Sequence, residues 1–240
     1  MATRINKFLS EVGYCSRRGA DRLIEEGKVT INGKSPEIGT KVEEGDHVEV
    51  EGQRVEKLKK QKKTYLVFNK PVGIVCTTDT RVEPENIIDF IKYPKRIFPI
   101  GRLDKLSEGL IFLTDDGDIV NKILRARNNH EKEYIVSVNR LINEDFIQSM
   151  SNGVEILETI TKNCFVKQLG PKMFKIILTQ GLNRQIRRMC EALGYRVKKL
   201  KRIRIMNIKL DVPIGKYREF TKDELHELNL LLEKSSKTYH

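Results

Sequence analysis

Residues 101–114 read GRLDKLSEGLIFLT, and this stretch indicates how the chain is organised. Apolar runs precede it and end it, so the pattern predicts a strand, an exposed loop and a second strand. Gly101 and Gly109 bracket the loop and let its backbone turn or approach a neighbour closely. Asp104 is then a carboxylate held at a loop, two residues after Arg102. An isolated sequence of this kind is more often a solvated turn, so its interpretation depends on the rest of the chain.

Composition indicates a globular protein with a polyanionic partner. The chain has 240 residues, of which 39% are hydrophobic, and a net charge of +12 with a pI near 9.5. Such a positive excess favours nucleic acid or an anionic membrane surface as partner. No apolar run approaches the length of a membrane span, and residues 1–10 lack the apolar region of a signal peptide. We therefore expect a cytoplasmic nucleic-acid-binding protein with no membrane partner.

The sequence predicts neither a metal site nor a cofactor. The four cysteines are far apart and form no C-x-x-C pair, so we expect reduced thiols. The four histidines lack the spacing of metal ligands. A glycine-rich phosphate loop is also absent from the sequence, which disfavours nucleoside-triphosphate chemistry.

The first sixty residues predict a small cationic module. Helical spacing covers residues 4–12, Ser16 is suited to cap a second helix, and strands are predicted at 29–31 and 47–50. The runs RINKFLSEVGYCSRRGADRLIEEGKVTINGK and IGTKVEEGDHVEV resemble the S4 RNA-binding domain. The resemblance implies a paired-helix grip on structured RNA, with Arg17 and Arg18 among the RNA-binding residues.

The composition divides the chain into an S4 domain (1–56), a basic linker (57–64) and a larger domain (65–240). In the larger domain, helices and strands interleave without regular alternation, so we predict an α+β fold with a mainly antiparallel sheet. The predicted strands are 65–68, 132–138, 164–167 and 174–179; the predicted helices are 84–91, 117–126, a helix capped by Asn143, 183–193 and one after the capping box Thr221-x-x-Glu224.

Beyond Asp104, two segments carry candidate chemistry. Tyr134 lies at the start of a predicted strand, where a core aromatic is the simpler interpretation. The run QGLNRQIRRM at 180–189 predicts a helix with a positively charged side, which alone could be a phosphate-binding face with no catalytic role.

Together these segments resemble the RsuA/RluF family of pseudouridine synthases, over nearly the whole chain. The resemblance is carried by NKPVGIV at 69–75, GRLDKLSEGLIFLT at 101–114, HEKEYIV at 130–136 and QGLNRQIRRMCEALGY at 180–195. The form NRQIRRM is similar to that of the RluF branch, which acts on large-subunit (23S) ribosomal RNA. The family resemblance implies isomerisation of a uridine to pseudouridine, without metal or cofactor.

The resemblance also implies roles for individual residues. Asp104 would be the catalytic carboxylate, held by a bidentate contact with Arg187, and Tyr134 would stack on the uracil. The target nucleotide would flip out of its stack into the pocket. The implied substrate-binding residues are Arg102, Arg184, Arg188, Ile205, which we place in the strand after a basic run, and Arg17 and Arg18 of the S4 domain.

Two rival interpretations remain open at the sequence level. A non-catalytic S4-type RNA-binding or ribosome-assembly protein would have the same charge. A glycosidase using the carboxylates of Asp104 and Glu108 would share the glycosidic chemistry. For the synthase we expect large-subunit ribosomal RNA as partner, a tRNA as a second candidate substrate, and a monomer.

Overall fold

The computed structural model describes residues 2–56, 62–79, 83–124 and 129–233, which divide into two compact units. The N-terminal unit comprises the described residues up to Lys63 with the short segments Pro94–Arg96 and Asp115–Gly117. The C-terminal unit comprises the other described residues. Most of the linker predicted at 57–64 and the end of the helix predicted at 117–126 lie outside the described residues. In the described ranges, no helix has the length and apolar character needed to cross a bilayer.

The N-terminal unit combines two helices with short antiparallel strands. Its elements are β1 (Thr3–Arg4), α1 (Ile5–Glu11), α2 (Arg17–Glu25), β2 (Val29–Ile31), β3 (Lys41–Val42), β4 (Val48–Val50) and β5 (Gln53–Val55). Strand β1 pairs with β3, and β2, β4 and β5 form a three-stranded sheet. The predicted start of α2 is confirmed, because the Ser16 hydroxyl accepts a hydrogen bond from the Gly19 amide at 3.0 Å. An apolar core that includes Ile5, Leu9 and Val48 joins helices and strands.

The C-terminal unit is built on one large sheet. Its strands are β6 (Tyr65–Lys70), β7 (Phe98–Ile100), β8 (Glu108–Thr114), β9 (Lys132–Val138), β10 (Glu155–Ile156), β11 (Thr159–Ile160), β12 (Phe165–Gly170), β13 (Met173–Leu178), β14 (Val197–Ile205), β15 (Ile208–Lys209) and β16 (Tyr217–Glu219). Nine of them form a sheet in the order β12-β13-β9-β14-β8-β6-β16, with β7 on β8 and β15 on β14. Among the strand pairs of this sheet in the described residues only β14 with β8 is parallel, which confirms the predicted α+β fold with a mainly antiparallel sheet.

The helices cover both faces of this sheet. They are α3 (Ile87–Ile91), α4 (Gly117–Leu124), α5 (Glu144–Asn152), α6 (Gln185–Ala192) and α7 (Lys222–Leu232). One apolar cluster joins α3, α5 and α6 to strand residues such as Val136, and a second joins α4 and α7 to residues such as Phe112. Strand β8 is central, and its run 110–113 is fully buried because its two faces point into different clusters.

Two predicted helix caps are confirmed, and two other helices begin two or three residues later than predicted. The caps predicted at Asn143 and Thr221 are both present. Helix α3 begins at residue 87 rather than 84, because the Asn86 side chain caps it. Helix α6 begins at 185 rather than 183, because Arg184 adopts a left-handed conformation with φ 49°. Ile205 is the last residue of β14 itself, which also carries the basic run, so its predicted placement in a following strand is wrong.

Candidate active site

Asp104 lies in the predicted loop between β7 and β8, which pair antiparallel. Gly101 opens the loop with φ 79°, a conformation that side chains other than glycine rarely adopt. The amide of Ser107 donates to the main-chain carbonyl of Asp104 at 2.9 Å and closes the turn. The Asp104 side chain is 33% exposed, so its carboxylate remains accessible to a substrate.

The loop forms one wall of an open cleft of about 960 Å³ in the C-terminal unit. This size suits a single nucleotide with its immediate surroundings. The predicted site residues that the structure brings to the cleft are Asp104, Arg102, Tyr134, Arg184, Arg187 and Ile205. Arg188 is not among the lining residues: its guanidinium donates to the backbone and side-chain oxygens of Asn183. Arg17 and Arg18 are exposed on α2 of the other unit.

Helix α6 presents Arg187 to the Asp104 loop. The Arg187 Nε atom lies 3.7 Å from Oδ2 of Asp104, and Arg187 is almost fully buried. Its Nη2 atom donates to the carbonyl of Leu106 at 2.8 Å and to the Ser107 hydroxyl at 3.1 Å. The predicted bidentate contact with Asp104 is therefore wrong: Nη2 hydrogen-bonds to Leu106 and Ser107 of the loop, and Nε, 3.7 Å from Oδ2, has no hydrogen-bond partner in the described part of the chain. Arg187 thus holds the loop in place and also faces the Asp104 carboxylate.

Burial and charge pairing act on the pKa of Arg187 in opposite directions. Burial lowers the pKa of the Arg187 guanidinium, and the nearby Asp104 carboxylate partly restores it. A guanidinium titrates so far above neutral pH that the side chain stays charged. The Asp104 carboxylate therefore faces a fixed positive charge, with 3.7 Å between Nε and Oδ2.

Tyr134 lies on the cleft wall in β9 and is 9% exposed. Its neighbour across the sheet is Arg202 of β14, whose Cζ atom lies 5.9 Å from the centre of the tyrosine ring. That distance is within the range of cation–π attraction. The contact holds the tyrosine ring against the cleft wall.

Sequence reasoning did not single out three buried cations near the cleft. Lys70 is fully buried and donates to the carbonyls of Pro71 and Ile74 at 2.8 Å each. Lys132 and Arg202 are buried and line the cleft. The alternation of β9 already placed Lys132 on the same strand face as Tyr134, a signal that could have been used. Lys70 and Arg202 offered no comparable signal, since their burial follows from the tertiary fold.

Comparison with known proteins gives a consistent result over both units. The RNA pseudouridylate synthase family matches residues 64–192, and the S4 domain matches residues 3–48. The dual-specificity RNA pseudouridine synthase RluF of Escherichia coli is 57% identical over 98% of this chain and 81% of its own length. The ribosomal large subunit pseudouridine synthase B of Bacillus subtilis is 34% identical over 95% of this chain and 96% of its own.

A solved pseudouridylate synthase structure agrees in fold. It superposes with a TM-score of 0.69 at 28% identity, over 94% of this chain and 99% of the other. The matched family covers the Asp104 loop, Tyr134 and Arg187 together. With its S4 and synthase domains, the chain belongs to the RNA pseudouridylate synthase family and isomerises uridine in RNA.

Proposed function

We propose that the protein converts a defined uridine of large-subunit (23S) ribosomal RNA to pseudouridine, with Asp104 as the catalytic carboxylate. The observation that carries this proposal is the accessible Asp104 carboxylate in a cleft, 3.7 Å from the buried Arg187 guanidinium. The ribosomal target is supported by the name of the Bacillus subtilis relative. The dual specificity in the name of the Escherichia coli relative supports a second RNA substrate, for which we propose a tRNA.

The reaction explains why one carboxylate is central. The bond from ribose C1′ to uracil N1 breaks, the freed base turns, and C5 of the base bonds to C1′. A carboxylate can drive this by attacking C1′ or by removing the C2′ proton, and either role requires its ionised form. No electrons are gained or lost overall, so we propose that the protein works without a redox cofactor. Arg187 supplies a fixed positive charge 3.7 Å from this carboxylate.

The other cleft residues are assigned to the flipped nucleotide. We place the uracil against Tyr134, with Ile205 as an apolar wall, because both side chains line the cleft. Tyr134 would also take part in moving the C5 proton. Arg102 and Arg184 are exposed at the cleft and would hold the RNA backbone or fill the gap that the flipped base leaves. Arg188 would contact RNA outside the cleft.

We assign the remaining grip on RNA to the proposed S4 domain, residues 1–56, joined by a basic linker at 57–64 to the catalytic domain at 65–240. Arg17 and Arg18 are exposed on α2, where phosphate groups could reach them. Because phosphate contacts release counterions, binding should weaken steeply with salt. We propose that the protein acts as a monomer in the cytoplasm, without a membrane partner.

The test is a pseudouridine map of 23S ribosomal RNA, transcribed in vitro and incubated with purified protein. Wild type should modify a defined uridine, and Asp104→Asn should bind the RNA but convert none. Glu108→Gln is the matched control: Glu108 begins β8 close by and is not among the cleft-lining residues, so this variant should stay active. Conversion by Asp104→Asn would refute the catalytic assignment. Salt-sensitive binding without any conversion by wild type would favour the ribosome-assembly interpretation.

A further inference from the structure

Two buried cations of the cleft, Lys132 and Arg202, lack an acidic partner within the described residues. Lys132 is 8% exposed and Arg202 is 4% exposed. The Lys132 ammonium group donates to the carbonyl of His130 at 3.3 Å. Arg202 donates through Nε to the carbonyl of Leu110 at 2.6 Å, while its buried Nη2 atom has no hydrogen-bond partner. Both side chains thus carry charge that backbone carbonyls satisfy only in part.

This arrangement is costly for the fold. A buried charge without a counter-charge is one of the most unfavourable groups in a protein interior. Burial, and secondarily the charge of Arg202, lower the pKa of Lys132 to about 8. Apolar side chains of similar size would fill the same volume without this cost. The unmatched positive charge therefore makes the wall attractive to an anion.

The two cations flank the tyrosine of the cleft. Lys132 and Tyr134 are two residues apart on β9 and share one strand face. On the adjacent strand β14, Arg202 is paired with Tyr134 and Ile205 with Lys132. An aromatic platform, an apolar wall and two cations thus meet on one part of the cleft.

We propose that Lys132 and Arg202 form an oxyanion subsite, which binds a negatively charged oxygen of the flipped nucleotide. The proposal rests on the proposed function, because it takes this cleft as the nucleotide pocket. Cleavage of the C1′–N1 bond leaves an electron pair on N1, and this charge spreads to the uracil oxygens O2 and O4. A phosphate oxygen next to the flipped nucleotide offers the same chemistry. Positive groups held in place before the reaction stabilise such charge strongly where water is excluded.

The experiment measures the single-turnover rate at which wild type and each variant convert a stem-loop RNA. This RNA has the sequence around the uridine that wild type modifies. Lys132→Met should lower the rate by about 100-fold, the effect typical of losing one oxyanion donor. Lys132→Arg keeps the charge and should stay within about tenfold of wild type. Lys199→Met is the matched control, because Lys199 lies exposed on β14, three residues from Arg202. Far-ultraviolet circular dichroism checks that each variant is folded.

The outcomes distinguish a uracil oxygen from a phosphate oxygen, and a failure of the subsite from a failure of the proposed function. A single neutral methylphosphonate beside the target uridine should cancel the Lys132→Met effect if phosphate is the ligand. The effect should persist if a uracil oxygen is the ligand. The subsite alone would be overturned if Lys132→Met were as active as Lys199→Met. It would also be overturned if Lys132→Arg were as slow as Lys132→Met. A wild type that converts no uridine would overturn the proposed function and the subsite with it.

Discussion

Replacing Lys132 with methionine should stabilise the folded protein at neutral pH, although it removes a hydrogen bond. The lysine is buried in the cleft wall, and burial lowers its pKa from 10.5 to about 8. Below pH 8 the folded state therefore carries a charge that the surroundings disfavour. Methionine has a similar length and no charge, so it can occupy the same space.

The magnitude follows from the pKa difference. Each pKa unit corresponds to about 1.4 kcal/mol, so the charged lysine costs the folded state about 3 kcal/mol at pH 7. The variant loses the hydrogen bond to the His130 carbonyl, which lowers its free energy of unfolding by about 1 kcal/mol. Lys132→Met should thus raise the free energy of unfolding by about 2 kcal/mol at pH 7. Since the folded pKa is depressed, the cost in wild type fades as pH rises from about 8 to 10.5, and the difference should be near zero at about pH 10.

Urea unfolding of wild type and Lys132→Met at pH 7, 8, 9 and 10 measures this difference directly. The other titratable residues are common to both proteins, and their contributions cancel. Lys199→Met, at an exposed position, should differ little from wild type at every pH. A Lys132→Met difference that does not change with pH, or a variant less stable than wild type at pH 7, would refute the electrostatic reasoning.

Two further predictions concern stability elsewhere in the C-terminal unit. Gly109→Ala should destabilise by more than about 3 kcal/mol, because an added Cβ would lie 2.2 Å from the Arg202 carbonyl oxygen at a backbone φ of 108°. Gly73→Ala, in the same unit and with φ 96° but open space, is the control and should cost only about 1–2 kcal/mol in urea unfolding. Arg218 lowers the pKa of Glu224, so this carboxylate stabilises the fold above its unfolded pKa and ceases to do so as pH falls through its lower folded pKa. Glu224→Gln should flatten the acid side of the stability–pH profile, and an unchanged profile would contradict this.

Local signals in the sequence predicted local structure well. Ser16, Asn143 and Thr221 begin helices because a cap depends on neighbours within three residues. The glycine-bracketed loop at Asp104 was predictable for the same reason. The resemblance to a family then assigned Asp104, Tyr134 and Arg187 to one site, and the structure places all three at one cleft; their chemical roles stay predictions.

Features that depend on tertiary packing were not predictable. Arg187 and Ser107 are 80 positions apart, so no local pattern shows that they form a hydrogen bond. Arg202 belongs to a basic run that resembles a solvated surface. Its burial depends on the register of β14 against β9, which shifts between Arg202 and Arg204. Charge patterns identify which side chains are available, whereas sheet register decides which of them enter the cleft.

The position of β14 in the sheet has a consequence for synthesis on the ribosome. This strand, residues 197–205, lies between β8 and β9, which leave the ribosome some sixty or more residues earlier. Until it arrives, each of those strands has an open hydrogen-bonding edge, and such edges readily pair with other chains. The nascent protein therefore cannot complete its sheet, or bring Arg202 beside Tyr134, until the larger part of the chain has been made.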